Sequence, residues 1–258
     1  MKYIKVTDVE NVVSFQFDNA IGDGCLILNP EGFEDSVAIN SIEDIASRIG
    51  AKEVNSKSGR RIVSWNAMLT CDALANRRLM LAALRRTGFL KLVEFETPDS
   101  LALRFYAYFD KLKGPYSSAI NKLMMLQFSA PDPRFYSQTL HTQEIARNTN
   151  EVVENIGTDE TCPVFRINGP FTSATITNLN NDQAITITET LIAGEYIEID
   201  CANQTVKEDD GTSRYSSITG TPEFITLEPG ENTIQFEDVG GDANTTLEVD
   251  FRDAYNSI

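Results

Sequence analysis

The sequence predicts a mostly β protein: an N-terminal β-rich domain with one α-helix, followed by a C-terminal β-sandwich of the jelly-roll type. Three observations lead there. Strand-like runs recur through residues 151–258 at short spacing, with Asn, Asp, Gly and Pro turns between them. A single segment, around residues 72–87, has the composition and end signals of a helix. The charge is also divided: residues 1–150 hold 18 Lys/Arg against 17 Asp/Glu, whereas residues 151–258 hold 4 against 21. Two such different surfaces predict two domains. We place them at 1–140 and 154–258, joined by a polar linker at 141–153.

Taken in order, Val12–Phe17 and Gly24–Leu28 have strand composition. Residues Asn40–Gly59 are polar and carry both charge signs, which predicts an exposed loop or arm. Arg60–Leu69 reads as a strand, with Ile62, Ser64, Asn66 and Met68 on one face and Arg61, Val63, Trp65, Ala67 and Leu69 on the other. The helix has Asp72 as N-cap, strong helix formers through Arg86, and Gly88 as a stop. Ala75, Leu79, Met80, Ala83 and Leu84 form its expected core arc. The opposite side mixes Arg77, Arg78 and Arg85 with Leu74 and Leu81. That mixture fits a subunit contact, because Arg is enriched at interfaces, and it equally fits arginine stems lying over an ordinary helix.

Strands resume at Leu90–Phe95, Ala102–Phe109 and Lys122–Phe128. Pro131 and Pro133 then remove ladder donors and end the pairing. In the second half, strand runs are expected at Val164–Ile167, Ala174–Thr177, Ala184–Thr188, Tyr196–Ile199, Thr205–Lys207, Phe224–Leu227, Asn232–Phe236 and Thr245–Phe251. In Leu191-Ile-Ala-Gly-Glu-Tyr-Ile-Glu-Ile-Asp200, Gly194 supplies a turn. Ile197 and Ile199 are expected inside, with Tyr196, Glu198 and Asp200 on the solvent side. Lys207–Thr212 reads as a hairpin with an Asp-Gly turn.

The composition excludes several functions. There is no P-loop, no G-x-G-x-x-G and no G-x-S-x-G. The lone histidine, His141, is read as a solvated linker side chain and not as a catalytic base. Cys25, Cys71, Cys162 and Cys201 lack metal-ligand spacing and are read as reduced thiols. No catalytic, cofactor or metal residues are assigned, and no cofactor is expected. The acidic half opposes specific nucleic-acid binding. No run is apolar enough for membrane insertion, and no signal peptide is read at the N-terminus.

Several phrases, in order, resemble the distal tail protein family of long, non-contractile-tailed bacteriophages, also called phage tail components. They are Leu126–Tyr136, Asn155-Ile-Gly157, Cys162–Pro170, Ile176–Asn178, Leu191–Asp200, Leu227–Asn232 and Val249–Tyr255. The resemblance implies a non-enzymatic virion protein made in the bacterial host cytoplasm and placed at the tail tip. It implies a homohexameric ring formed by the N-terminal domain, with tail tube and tail hub proteins as partners. It also implies a galectin-like fold for the C-terminal sandwich and a part in host attachment. In a ring, Leu74, Arg77, Arg78, Leu81, Arg85 and the 40–59 arm are the candidate subunit contacts. The alternative is a carbohydrate-binding or adhesion module.

Overall fold

The structure is a computed structural model that describes residues 1–8, 13–18, 25–33, 38–44, 51–69, 73–84, 90–114 and 123–257. The chain forms two compact units, Met1–Gln138 together with the residues from Asn256, and Thr139–Tyr255.

Among its described residues the first unit has a large antiparallel sheet, a separate β-strand pair and one helix. Its strands are β1 (Tyr3–Asp8), β2 (Val13–Asp18), β3 (Cys25–Glu31), β4 (Ala38–Asp44), β5 (Ala51–Ser58) and β6 (Arg61–Leu69). Helix α1 (Ala73–Leu84) follows, then β7 (Leu90–Glu96), β8 (Ala102–Lys113), β9 (Leu123–Ala130) and β10 (Phe135–Ser137). The main sheet runs β2-β1-β7-β8-β9-β6-β3, with β10 on β8. Its end strands β2 and β3 come back into contact, so the sheet curls on itself. Period-2 alternation makes the inside. Ile4 and Val6, Val63 and Trp65, Val93 and Phe95 are all buried. Trp65 stacks on Phe128 at 4.9 Å and meets Phe17 edge-on at 5.6 Å. A second aromatic group joins Phe33, Phe95, Phe105 and Phe135. Each such side chain, fully buried, contributes roughly 1.5–3 kcal/mol.

Helix α1 packs on β1, β2 and β6. Of its expected core arc, Met80, Ala83 and Leu84 are buried. The helix is described over Ala73–Leu84; Asp72 and residues 85–87 lie outside the described residues. The Asn40–Gly59 segment, expected as an exposed loop or arm, is strand over 40–44 and 51–58, and residues 45–50 lie outside the described residues. These strand residues belong to the antiparallel β4–β5 pair, which runs from Ala38↔Ser58 to Asp44↔Ala51 with a register shift between Ser41 and Ile42. Among the described residues these strands pair only with each other. Backbone pairing overrode a polar sequence that shows no alternation.

The second unit is a sandwich. Its strands are β11 (His141–Ala146), β12 (Thr149–Asn155), β13 (Val164–Asn168), β14 (Ser173–Asn178), β15 (Gln183–Ile187) and β16 (Tyr196–Asp200). They continue with β17 (Thr205–Glu208), β18 (Gly230–Val239) and β19 (Thr246–Phe251). One sheet is β11-β19-β13-β16-β17 and the other β12-β18-β14-β15. Their inner faces share a core that includes Phe165, Ile167, Phe171, Ile197, Phe236 and Val249.

Residues 141–153, expected as a linker, are instead the edge strands β11 and β12, one in each sheet. Their outward residues are polar except for Ala146 and the exposed Val152, and Ile145 and Val153 are the apolar anchors that reach the core. Two anchors among so many polar residues give a weak strand signal. Conversely, Phe224–Leu227 is not a regular strand. Ile225 and Leu227 are buried, but only Leu227 makes a β-bridge, to Thr161.

Candidate functional site

The sequence places its candidate contacts on α1 and on the 40–59 arm, of which the side chains of residues 40–58 lie outside the described set. Arg78 and Leu81 are exposed, Leu81 at 39%. Three positions apart, they share one helix face. Leu74 and Arg77 lie on the same helix, with side chains outside the described set, and Arg85 lies outside the described residues.

A second surface escaped the sequence reading. On the outer face of the first unit's sheet, Leu90, Tyr108, Ser129 and Ile62 fall in one cross-strand row, and Leu92 and Tyr106 in the next. Ile62, Tyr106 and Tyr108 are 45%, 43% and 39% exposed. Arg104 lies 5.2 Å from the Tyr106 ring centre, and its Nη2 donates to the Tyr106 hydroxyl at 2.5 Å. Tyr and Arg on an apolar ground are the composition of interface cores. The signal lay in Ala102–Phe109, where Leu103, Phe105, Ala107 and Phe109 fill the inside and leave two tyrosines outside.

The Pro131–Tyr136 phrase is a polar knot. Asp132 Oδ1 accepts from the Arg134 backbone N–H and Nε, each at 3.0 Å, and Oδ2 accepts from the Tyr136 hydroxyl at 2.6 Å. Beneath it, the buried Arg61 donates from Nε to Pro133 O at 2.5 Å, from Nη1 to Gly32 O at 3.0 Å and from Nη2 to Asn256 O. Its guanidinium also sits 4.3 Å from the Phe135 ring centre.

In the second unit the acidic residues of the Leu191–Asp200 phrase have structural partners. The Ile192 N–H donates to Glu195 Oε2 at 2.9 Å across the turn at Gly194, whose φ is +96°. Ile197 and Ile199 are fully buried, while Tyr196, Glu198 and Asp200 are half-buried on the other face. Glu198 and Asp200 do not converge. Arg166 lies between Glu198 (3.7 Å) and Glu248 (3.0 Å) in a ladder across β16, β13 and β19. Asp200 instead accepts from the Asn203 N–H and side-chain amide at 2.9 and 2.6 Å. The Asp-Gly turn after β17 closes through Gly211 N–H to Glu208 O at 2.9 Å. Hydrogen bonds from the Thr212 backbone and side chain hold Asp210 below the usual carboxylate range.

Buried amides carry the quoted phrases. Asn155 donates to Asp159 O and Leu227 O, and its Oδ1 accepts from Gly157 N–H at 3.1 Å. A Cβ on Gly157 would stand 1.9 Å from Ala254 O, which explains Asn-Ile-Gly. Asn178 and Asn232, both fully buried, bond to each other at 3.2 Å. Sequence pattern treats Asn as a surface residue, so these were missed.

His141 is not a free linker side chain. Its Nε2 lies 2.8 Å from Oδ2 of buried Asp253, and its ring stacks on Phe251 at 5.1 Å. Among the described residues no His, Cys, Asp or Glu group has the arrangement to hold a metal ion. Among the described residues neither Cys162 nor Cys201 is in a disulfide, and the side chains of Cys25 and Cys71 lie outside the described set. Burial pushes the Cys201 thiol up, with nearby Cys162 adding to the shift. Cys201 in the native protein is therefore expected to resist alkylation by iodoacetamide at pH 8 and to react once urea unfolds the chain. Peptide mass mapping reads this directly.

Residues 156–255 match the family model of the siphovirus-type tail component, C-terminal domain. A comparison with curated proteins gives no match. Among solved structures, the chain is similar to the crystal structure of the SPP1 Dit (gp 19.1) protein, described as a paradigm of the hub adsorption apparatus in Gram-positive-infecting phages. That likeness has a TM-score of 0.70 at 13% identity and covers 97% of this chain and 98% of that one. It is also similar to a chain of the phage P2 baseplate in its activated conformation with Ca, with a TM-score of 0.55 at 11% identity over 100% and 99% of the two chains.

Proposed function

We propose, from the match of residues 156–255 to the siphovirus-type tail component family, that the chain is the distal tail protein of a long, non-contractile phage tail. In this reading identical copies close a hexameric ring at the tail tip. The ring joins the tail tube to the hub and receptor-binding apparatus. The family match carries the proposal, and a fold shared along nearly the whole length of a distal tail protein supports it. The role is structural, not enzymatic.

The physical chemistry is compatible with a ring. A closed ring needs a head-to-tail interface made of two different patches on each copy. The first unit offers two candidates: the α1 face with Arg78 and Leu81, joined in sequence by Leu74, Arg77 and Arg85, and the Tyr106–Tyr108–Ile62 sheet face. The second half of the chain, with 4 Lys/Arg against 21 Asp/Glu, repels copies of itself and lacks the basic groove that would retain passing DNA.

Two measurements test the proposal. Gold-labelled antibody against the chain is expected to mark the tail tip of the phage particles that carry it. Label along the tube or on the head would refute the assignment. Native mass spectrometry is expected to find a hexamer, and Arg77→Glu/Arg78→Glu/Arg85→Glu to shift it to monomer. An unchanged hexamer would remove α1 from the contact and leave the sheet face.

A further inference from the structure

We propose that Asp8 and Lys91 form a register lock, which holds the first strand in one pairing at a net cost in stability. Their side chains are 2% and 0% exposed, with Nζ 3.2 Å from Oδ2, and Lys91 Nζ makes no hydrogen bond. They face each other across β1 and β7 on the inward side, in line with Val6↔Val93 and Ile4↔Phe95.

Stability does not account for the pair. Desolvating two charges costs about as much as their attraction returns, and apolar replacements of similar volume often do as well or better. Nor does the hydrophobic alternation select this register, because a two-residue slip keeps every side chain on its own face. The charges do select it. If β1 slips so that Thr7 faces Leu90, Asp8 meets Phe89 and Val6 meets Lys91. Both charges are then buried without a partner. If it slips the other way, Lys91 meets Glu10, but Asp8 is left against Val93. Only the observed pairing satisfies both. The outward Lys5–Glu94 pair at 3.0 Å favours the same register, but it is partly exposed and therefore weak.

The consequence extends beyond one strand. β1 carries β2, and β2 meets both β3 and α1. A two-residue slip would displace β1 by about 6–7 Å along its axis and remake the unit's edge. This inference does not depend on the ring reading.

Paired cysteines test it on the full-length chain. Thr7→Cys/Leu92→Cys reports the observed register and Thr7→Cys/Leu90→Cys the slipped one, with cross-linked peptides assigned by mass. In the otherwise unaltered chain the first pair is expected to cross-link and the second to stay at background. Asp8→Leu and Lys91→Met singly are expected to lower the denaturation midpoint. Together they are expected to restore it or raise it, while slipped cross-links rise at least about tenfold because no lone buried charge opposes the slip. The exchanged pair Asp8→Lys/Lys91→Asp is expected to keep slipped cross-links at background. The proposal is overturned if the apolar double variant shows no slipped cross-link. It is overturned equally if that variant is as unstable as the single variants or does not fold, or if the exchanged pair slips.

Discussion

Replacing Arg61 with methionine is expected to lower the stability of the first unit by about 4 kcal/mol. The guanidinium reaches three backbone carbonyls, those of Gly32, Pro133 and Asn256, and lies against the Phe135 ring. At 4% exposure Arg61 admits almost no water to replace it. Each acceptor left unsatisfied costs about 1–3 kcal/mol, while methionine keeps the packing of the aliphatic stem. Arg61→Lys is expected to recover only part of the loss, because one ammonium cannot reproduce a planar fork with several donors. The readout is specific. Trp65 is the only tryptophan in the chain and lies in the first unit's core, stacked on Phe128. Its fluorescence therefore follows this unit. The urea midpoint of that signal should fall by about 2 M. A shift of less than about 0.5 M would mean that the three contacts carry little net energy.

Asn232→Ala is expected to cost the second unit about 3 kcal/mol. The side-chain amide donates to Glu228 O at 2.8 Å and Gly230 O at 3.1 Å. Its oxygen accepts from the Glu228 N–H at 2.9 Å and the Asn178 amide at 3.2 Å. It thus closes the Glu228–Asn232 turn and joins β14 to β18 inside the sandwich. Alanine leaves buried partners unsatisfied and opens a void where water has little access. Hydrogen exchange should speed up in Ser173–Asn178 and Gly230–Val239, while the Trp65 transition stays in place. If exchange in those segments is unchanged, the amide network is not what secures the turn. By contrast, Glu198→Gln removes one end of a half-exposed ladder and is expected to change stability by less than about 1 kcal/mol.

These two residues mark where sequence reasoning stopped. Patterning was legible wherever one face is apolar. The strands β6, β7 and β8, the Met80–Ala83–Leu84 face of α1 and the inward Ile197 and Ile199 follow from period alone, whereas β1, with the same buried alternation, was not read as a strand. Strands with few inward apolar residues were not legible. β11 and β12 need only Ile145 and Val153 to reach the core, and the β4–β5 pair shows no alternation at all. Buried polar residues were illegible for another reason. Arg61, Lys91, Asn155, Asn178 and Asn232 belong to types usually found at the surface, and their partners lie far away in the chain. Arg61 bonds to a residue 195 positions on, and Asn178 to one 54 positions on.

The sequence by itself determined a β-rich chain with one helix, an acidic second half and a series of phrases that match a tail component. Each of these is local, set by composition, period or a short motif. Only the tertiary structure decided that the polar stretch at 141–153 is sandwich edge, that Asn155, Asn178 and Asn232 are buried, and that two tyrosines and Ile62 share an outer face. Those facts depend on strand register. Register arises from long-range pairing, in which a shift of two residues leaves the local pattern intact and changes every partner.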